Sequence, residues 1–176
     1  MSTKNLKLPP QDIEAEISVL GALMLDRNAV IKVADALLPS DFYKPAHQKI
    51  YEVVLELFEK GEPIDLLTVS TRLKEKKLLQ DVGGNDYLAE LVSSVPTSAH
   101  AAHYATIVRE KRIRRDLINI SGEINEHAFE HQDFEDLIDH VEKRVFDLSG
   151  KSRTQKFVHL KEELPAAYDR LEKLHA

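Results

Sequence analysis

Pro9-Pro10-Gln11-Asp12-Ile13-Glu14-Ala15-Glu16-Ile17-Ser18-Val19-Leu20-Gly21-Ala22-Leu23-Met24 opens a stretch, running to Asp65, whose reading decides the fold. After the two prolines, Ile13, Ile17, Leu20 and Met24 recur at helical spacing, and Gly21 and Ala22 are small enough for close packing. Asp26-Arg27-Asn28 breaks this helix. Val30, Val33, Ala34 and Leu37 form a second, shorter one, which Pro39-Ser40-Asp41 ends. From about Pro45 to Lys60, Ile50, Val53, Val54, Leu57 and Phe58 sit at i, i+3, i+4, i+7 and i+8, while Glu52, Glu56 and Glu59 face outward. Gly61 supplies a left-handed stop. Asp65 then suits the N-cap of a helix through Leu66, Val69 and Leu73.

Downstream, Gly83-Gly84-Asn85 turns the chain into a fifth helix carrying Tyr87, Leu88, Leu91 and Val92, and Pro96-Thr97-Ser98 ends it. The next segment differs in kind. From Ser98 to about His131 there is no proline and one glycine, Gly122. A helix of roughly 33 residues spans about 50 Å and outruns a small core. Asp133 starts another helix with Phe134, Leu137, Ile138, Val141, Val145 and Leu148 as its apolar seam. The short connection at His131-Gln132 folds the pair into an antiparallel hairpin, unless Gly122 breaks the long helix. Residues 150–156 have linker composition. Phe157, Leu160, Leu164, Ala167, Leu171 and Leu174 alternate spacings of three and four, with Pro165 kinking or starting that last helix. The expected fold is all-α: a small orthogonal helical bundle, a protruding antiparallel helical hairpin and a C-terminal linker helix. Its divisions are a flexible tail (1–10), a globular helical unit (11–97), the hairpin (98–149), a linker (150–156) and the linker helix (157–176).

Composition excludes several classes. The 176 residues contain no cysteine, so there are no disulfides, thiolate nucleophiles or cysteine metal sites. No apolar run approaches the roughly 18 residues of a membrane span, and no signal-peptide core opens the chain. A soluble, cytoplasmic protein is expected. A formal net charge of −6 argues against a stand-alone DNA-binding module, which needs a cationic surplus.

The stretch from Pro9 to Asp65, with Asp41-Phe42-Tyr43, Ala46-His47-Gln48-Lys49-Ile50-Tyr51 and Gly61-Glu62-Pro63-Ile64-Asp65, resembles the opening of the DnaB-type replicative DNA helicases. Gly83-Gly84-Asn85-Asp86-Tyr87-Leu88, Val95-Pro96-Thr97 and the basic run Arg109 to Arg115 extend the resemblance over nearly the whole chain. It implies a non-catalytic N-terminal collar domain of a hexameric replicative helicase. Such a collar self-associates through its hairpins, docks primase and serves a ring through which single-stranded DNA passes. ATP and magnesium then belong to a motor domain downstream of this chain, which itself holds no cofactor and no catalytic or metal site. A helicase loader is a further expected partner, and the fragment alone is expected to form dimers or larger assemblies.

The candidate residues are therefore interface residues. On the hairpin they are Tyr104, Ile107, Val108, Ile120, Ile124, Leu137, Ile138 and Val141, divided between internal packing and self-association. For the motor contact they are Phe157, Leu160, Leu164 and Leu171. For primase they are the acidic tip residues Glu126, Glu130 and Asp136. Between Asp116 and Glu142 there is no Lys or Arg, so the hairpin has a basic base and an acidic tip, able to steer a basic partner. Two other readings stand beside this one: a helicase-loading or adaptor protein without a motor, and a nucleic-acid-binding regulator using the 109–115 basic run.

Three motif fragments fail on chemistry. Gly150-Lys151-Ser152 looks like the end of a phosphate-binding loop, but Val145 stands where the motif needs glycine, and a helix precedes it instead of a strand. His127 and His131 share a helical spacing, yet Ala128 replaces the glutamate of a zinc protease motif. His100 and His103 likewise read as surface histidines, and no paired acid and base or Ser-His-Asp set emerges.

Overall fold

The computed structural model describes residues 8–129 and 133–152, with side chains described as far as Asp147. Among the described residues, seven α-helices and one 3-10 turn account for the regular structure: α1 (Ile13–Leu25), α2 (Arg27–Ala34), the turn Pro39–Asp41, α3 (Pro45–Glu59), α4 (Leu66–Glu75), α5 (Gly84–Ser93), α6 (Ala101–Phe129) and α7 (Phe134–Ser152). Helices α1 to α5 and the start of α6 enclose one apolar cluster, the head. The rest of α6 pairs with α7 as the hairpin. The all-α architecture expected from the periodicity is the one observed.

Helix α1 lies at the centre, in contact with α2, α3, α5 and α6. The spacing of Ile13, Ile17, Leu20 and Met24 suggests one apolar stripe, but residues 19–24 are buried on every side. A helix apolar all round is stable only when surrounded. Gly21 is the contact point with α5: a Cβ there would lie 2.2 Å from the Leu91 carbonyl oxygen and 2.7 Å from Val95 Cγ2. Gly122, by contrast, has open space around its missing Cβ and interrupts nothing, since α6 runs through it. Alanine should therefore act oppositely at the two sites. Gly21→Ala is expected to destabilise by ~1–3 kcal/mol through overpacking, and Gly122→Ala to stabilise by ~1 kcal/mol through helix propensity. Urea denaturation of both variants checks this; equal signs would contradict it.

Local signals set the helix ends. Asp26 closes α1 and caps α2, accepting from the Asn28 N–H at 2.9 Å. Asp65 and Thr68 form a reciprocal capping box on α4. Gly61 takes φ +69°, the left-handed geometry that ends α3. Glu56 on α3 meets Lys60, Arg72 and Lys76, locking α3 to α4. Those hydrogen bonds, Lys60 first, hold its carboxyl at about 2 instead of 4.5. Because the folded value is depressed, the contribution is complete above pH 4.5 and lost as pH falls through about 2. Glu56→Gln is expected to flatten acid denaturation in that window, and an unchanged profile would contradict the assignment.

The expected break at residue 150 does not occur. Helix α7 continues through Ser149-Gly150-Lys151-Ser152, so the linker expected at 150–156 does not begin at 150. One glycine costs a helix interior only ~1 kcal/mol, and Lys and Ser are tolerated there. The linker-helix residues Phe157, Leu160, Leu164 and Leu171, and Pro165 with them, lie outside the described residues, as do Glu130 and the turn at His131-Gln132.

Candidate functional site

The base of the hairpin is an arginine anchor. Arg109, Arg112 and Arg115 recur every third residue, on the face of α6 turned to the head. Arg109 pairs with Asp41 at 3.2 Å and reaches the Ala36 carbonyl at 3.4 Å. Arg112 donates to the Ser40 carbonyl and pairs with Asp116. Arg115 donates to the carbonyls of Pro10 at 2.8 Å and Asp41 at 2.6 Å, with its guanidinium over the Tyr43 ring. Burial pulls its pKa down, yet a guanidinium stays charged in any folded protein. This corrects the count behind the nucleic-acid reading: three of the five cations of the 109–115 run hold the protein's own backbone. Lys111 is half-buried and Arg114 exposed.

Beyond the head, α6 and α7 pair through polar groups. Glu123 pairs with Arg144, and one turn nearer the tip the rings of His127 and His140 meet edge to face, centroids 4.8 Å apart. The partner numbers fall on α7 as they rise on α6, so the hairpin is antiparallel. A cleft of about 230 Å³ lies at this seam, lined by Arg112, Asp116, Asn119, Glu123, Arg144 and Asp147 among others. Two ion pairs within the chain, Arg112 with Asp116 and Arg144 with Glu123, line it.

The structure divides the expected hairpin residues. Val108 is 1% exposed and belongs to the head's core, and Ile120 is buried farther along the helix. Tyr104 and Ile107 pack partly against that core. Ile124, Leu137 and Val141 are half-buried, while Ile138 is exposed. Two residues read into the α7 seam, Phe134 and Val145, are exposed as well, and so are Leu117, Ile118, Phe129 and Phe146, which that reading passed over. Leu117 and Ile118 could have been found from their angle on the helix, since both point away from the face of Ala105 and Val108. At the tip, Glu126 and Asp136 are exposed beside Phe129 and Phe134.

Sequence reasoning also missed a buried polar cluster in the head. Glu16, Asp41 and His47 are all at most 4% exposed. Glu16 reaches from α1 to the start of α3 and accepts the Tyr43 N–H at 2.6 Å, capping a helix whose own N-cap residue, Lys44, makes no side-chain cap. The available signal was a glutamate set within the apolar run of α1. Among the described residues, no three His, Asp or Glu side chains are placed to hold a metal ion. No helix there is long and apolar enough to cross a membrane.

Comparison with known proteins gives this arrangement its family. The family described as "DnaB-like helicase N terminal domain" matches residues 8–110. The chain is 42% identical over 172 residues to the replicative DNA helicase DnaC of Bacillus subtilis, covering 97% of this chain and 38% of that protein. It is 39% identical to the replicative DNA helicase DnaB of Geobacillus stearothermophilus, covering 96% of this chain and 37% of that protein. Its fold matches the crystal structure of the N-terminal domain of DnaB helicase from Mycobacterium tuberculosis, with a TM-score of 0.76, 40% identity, and coverage of 80% of this chain and 99% of that one. The chain thus spans under two fifths of the length of these curated relatives. On head, hairpin and sequence alike, this chain belongs to the DnaB-like helicase N-terminal domain family.

Proposed function

We propose that this chain is the non-catalytic N-terminal collar of a hexameric replicative DNA helicase, with the ATP- and magnesium-dependent motor in a following domain. The collar joins sister subunits through the hairpin and receives primase at the hairpin tip, in the bacterial cytoplasm. The observation that carries this reading is the hairpin itself. A 29-residue helix leaves the head and keeps Leu117 and Ile118 exposed to water. Exposed apolar side chains on an extended element are costly until another surface covers them.

For primase, the acidic tip offers Glu126 and Asp136 beside two exposed phenylalanines, a combination suited to a basic partner with apolar sockets. A solved relative, the N-terminal domain of DnaB helicase from Helicobacter pylori, is described with its interactions with primase; it is 25% identical to this chain at a TM-score of 0.58, covering 66% of this chain and 91% of that one. Titration calorimetry with purified primase is expected to give saturable binding. The double variant Glu126→Lys, Asp136→Lys should weaken it about 10-fold or more, with a smaller salt dependence. Unchanged affinity in the variant would remove the tip assignment, and no binding by the parent chain would remove the primase reading. A loader binding the same collar, and single-stranded DNA threading the assembled ring, complete the proposed partners.

A further inference from the structure

Four side chains form one hydrogen-bonded chain from the head's surface into its core. Lys44 Nζ lies 3.2 Å from the Tyr87 hydroxyl, that hydroxyl 2.6 Å from His47 Nε2, and His47 Nδ1 2.7 Å from Glu16 Oε2. The chemistry of the two ends gives every bond its direction. An ammonium group can only donate. The Glu16 carboxylate, already accepting the backbone N–H groups of Tyr43 at 2.6 Å and Lys44 at 3.4 Å, can only accept. Lys44 therefore donates to the Tyr87 oxygen, and the Tyr87 proton is left for His47 Nε2. His47 in turn carries its one proton on Nδ1, aimed at Glu16. This arrangement gives each of the three links one donor and one acceptor with a neutral imidazole. His47 is 0% exposed and Glu16 1%, so water cannot substitute for either partner.

The surroundings of His47 are defined on each side. Glu16 faces it from α1 and Tyr87 from α5, the tyrosine ring stacked at 6.0 Å. Phe42 meets it edge-on at 6.4 Å. Lys44 stands one link away, and Arg115 of α6 lies within Coulombic reach of Glu16. Imidazole is the side chain whose charge ordinarily changes between pH 5 and 8.

We propose that this relay is a protonation-sensitive latch: a proton bound at His47 Nε2 reverses the bond to Tyr87, turns the tyrosine hydroxyl proton outward and releases Lys44 from the head. The step takes one proton from solvent, forms one N–H bond and rotates the phenol O–H about its C–O bond; no other group changes charge. With the hydroxyl proton facing outward and an imidazolium behind it, the site repels the ammonium it previously held. A fully buried histidine thus reports its charge at the surface, at the residue that opens α3.

Side-chain ¹⁵N–¹H correlation spectra of the labelled, folded 176-residue chain between pH 8 and 5 test this, with the Lys44 and Tyr87 signals followed in parallel. The expected result at pH 8 is a protonated Nδ1 and an unprotonated Nε2 on His47. As pH falls, Nε2 should become protonated, and the Lys44 and Tyr87 signals should shift with the same midpoint. In Tyr87→Phe, the His47 titration should persist and the Lys44 response should vanish. The parent spectra alone decide the matter should that variant fail to fold. A proton on Nε2 at pH 8, a His47 that gains no proton before the chain unfolds, or Lys44 signals that ignore the His47 midpoint would each overturn the latch.

Discussion

Placing aspartate at Leu117 and Ile118 is expected to leave a folded monomer where the parent chain assembles. Both side chains are well exposed in the single chain, at 50% and 56%, so the substitutions cost the monomer little. In a symmetric pair each change counts twice. Burying a Leu or Ile is worth ~1.5–3 kcal/mol, so even partial loss across two copies should exceed ~3 kcal/mol, about 100-fold in dissociation constant. Buried, unpaired aspartates would add to that. Size-exclusion chromatography with light scattering reads the mass, and circular dichroism confirms the helices are intact. A variant that assembles like the parent would place the contact elsewhere; one that loses its helices would show these residues to be structural.

Glu16→Ala is expected to be the most damaging single change in the head. It removes the acceptor for two half-buried backbone N–H groups and for the fully buried His47 Nδ1. Leaving a buried donor without its acceptor costs ~1–3 kcal/mol, so orphaning several at once should take a large share of the ~5–15 kcal/mol that holds a typical domain together. Urea denaturation should show a midpoint far below the parent's. A loss under ~1 kcal/mol would mean that the cluster is peripheral to stability.

Both sites show where sequence reading succeeds and where it stops. Short-range signals were legible: the 3.6-residue period of α3, the stop at Gly61, the cap at Asp65 and the start of α7 at Asp133 each depend on neighbours a few residues away. The uncapped long helix across residues 98–131 was legible for the same reason. Tertiary choices were not. Whether Arg109, Arg112 and Arg115 meet phosphate or a carbonyl depends on the turn at Pro39–Asp41, about 70 residues earlier in the chain. Glu16 and His47 are 31 residues apart and appear as ordinary helix residues until α1 and α3 cross. Of the apolar period of α7, Leu137 and Val141 are half-buried while Phe134, Ile138 and Val145 stay exposed, because polar groups of both helices, Glu123 with Arg144 and His127 with His140, fill the interface; Leu117 and Ile118 of α6 point away from it. The exposed flank is what remains, and it bears the proposed function.

Sedimentation equilibrium of the unmodified 176-residue chain, from low to high micromolar concentration, tests the central claim most directly. The account predicts a concentration-dependent mass rising to a multiple of 20.0 kDa. A constant mass of one chain at every concentration would contradict it.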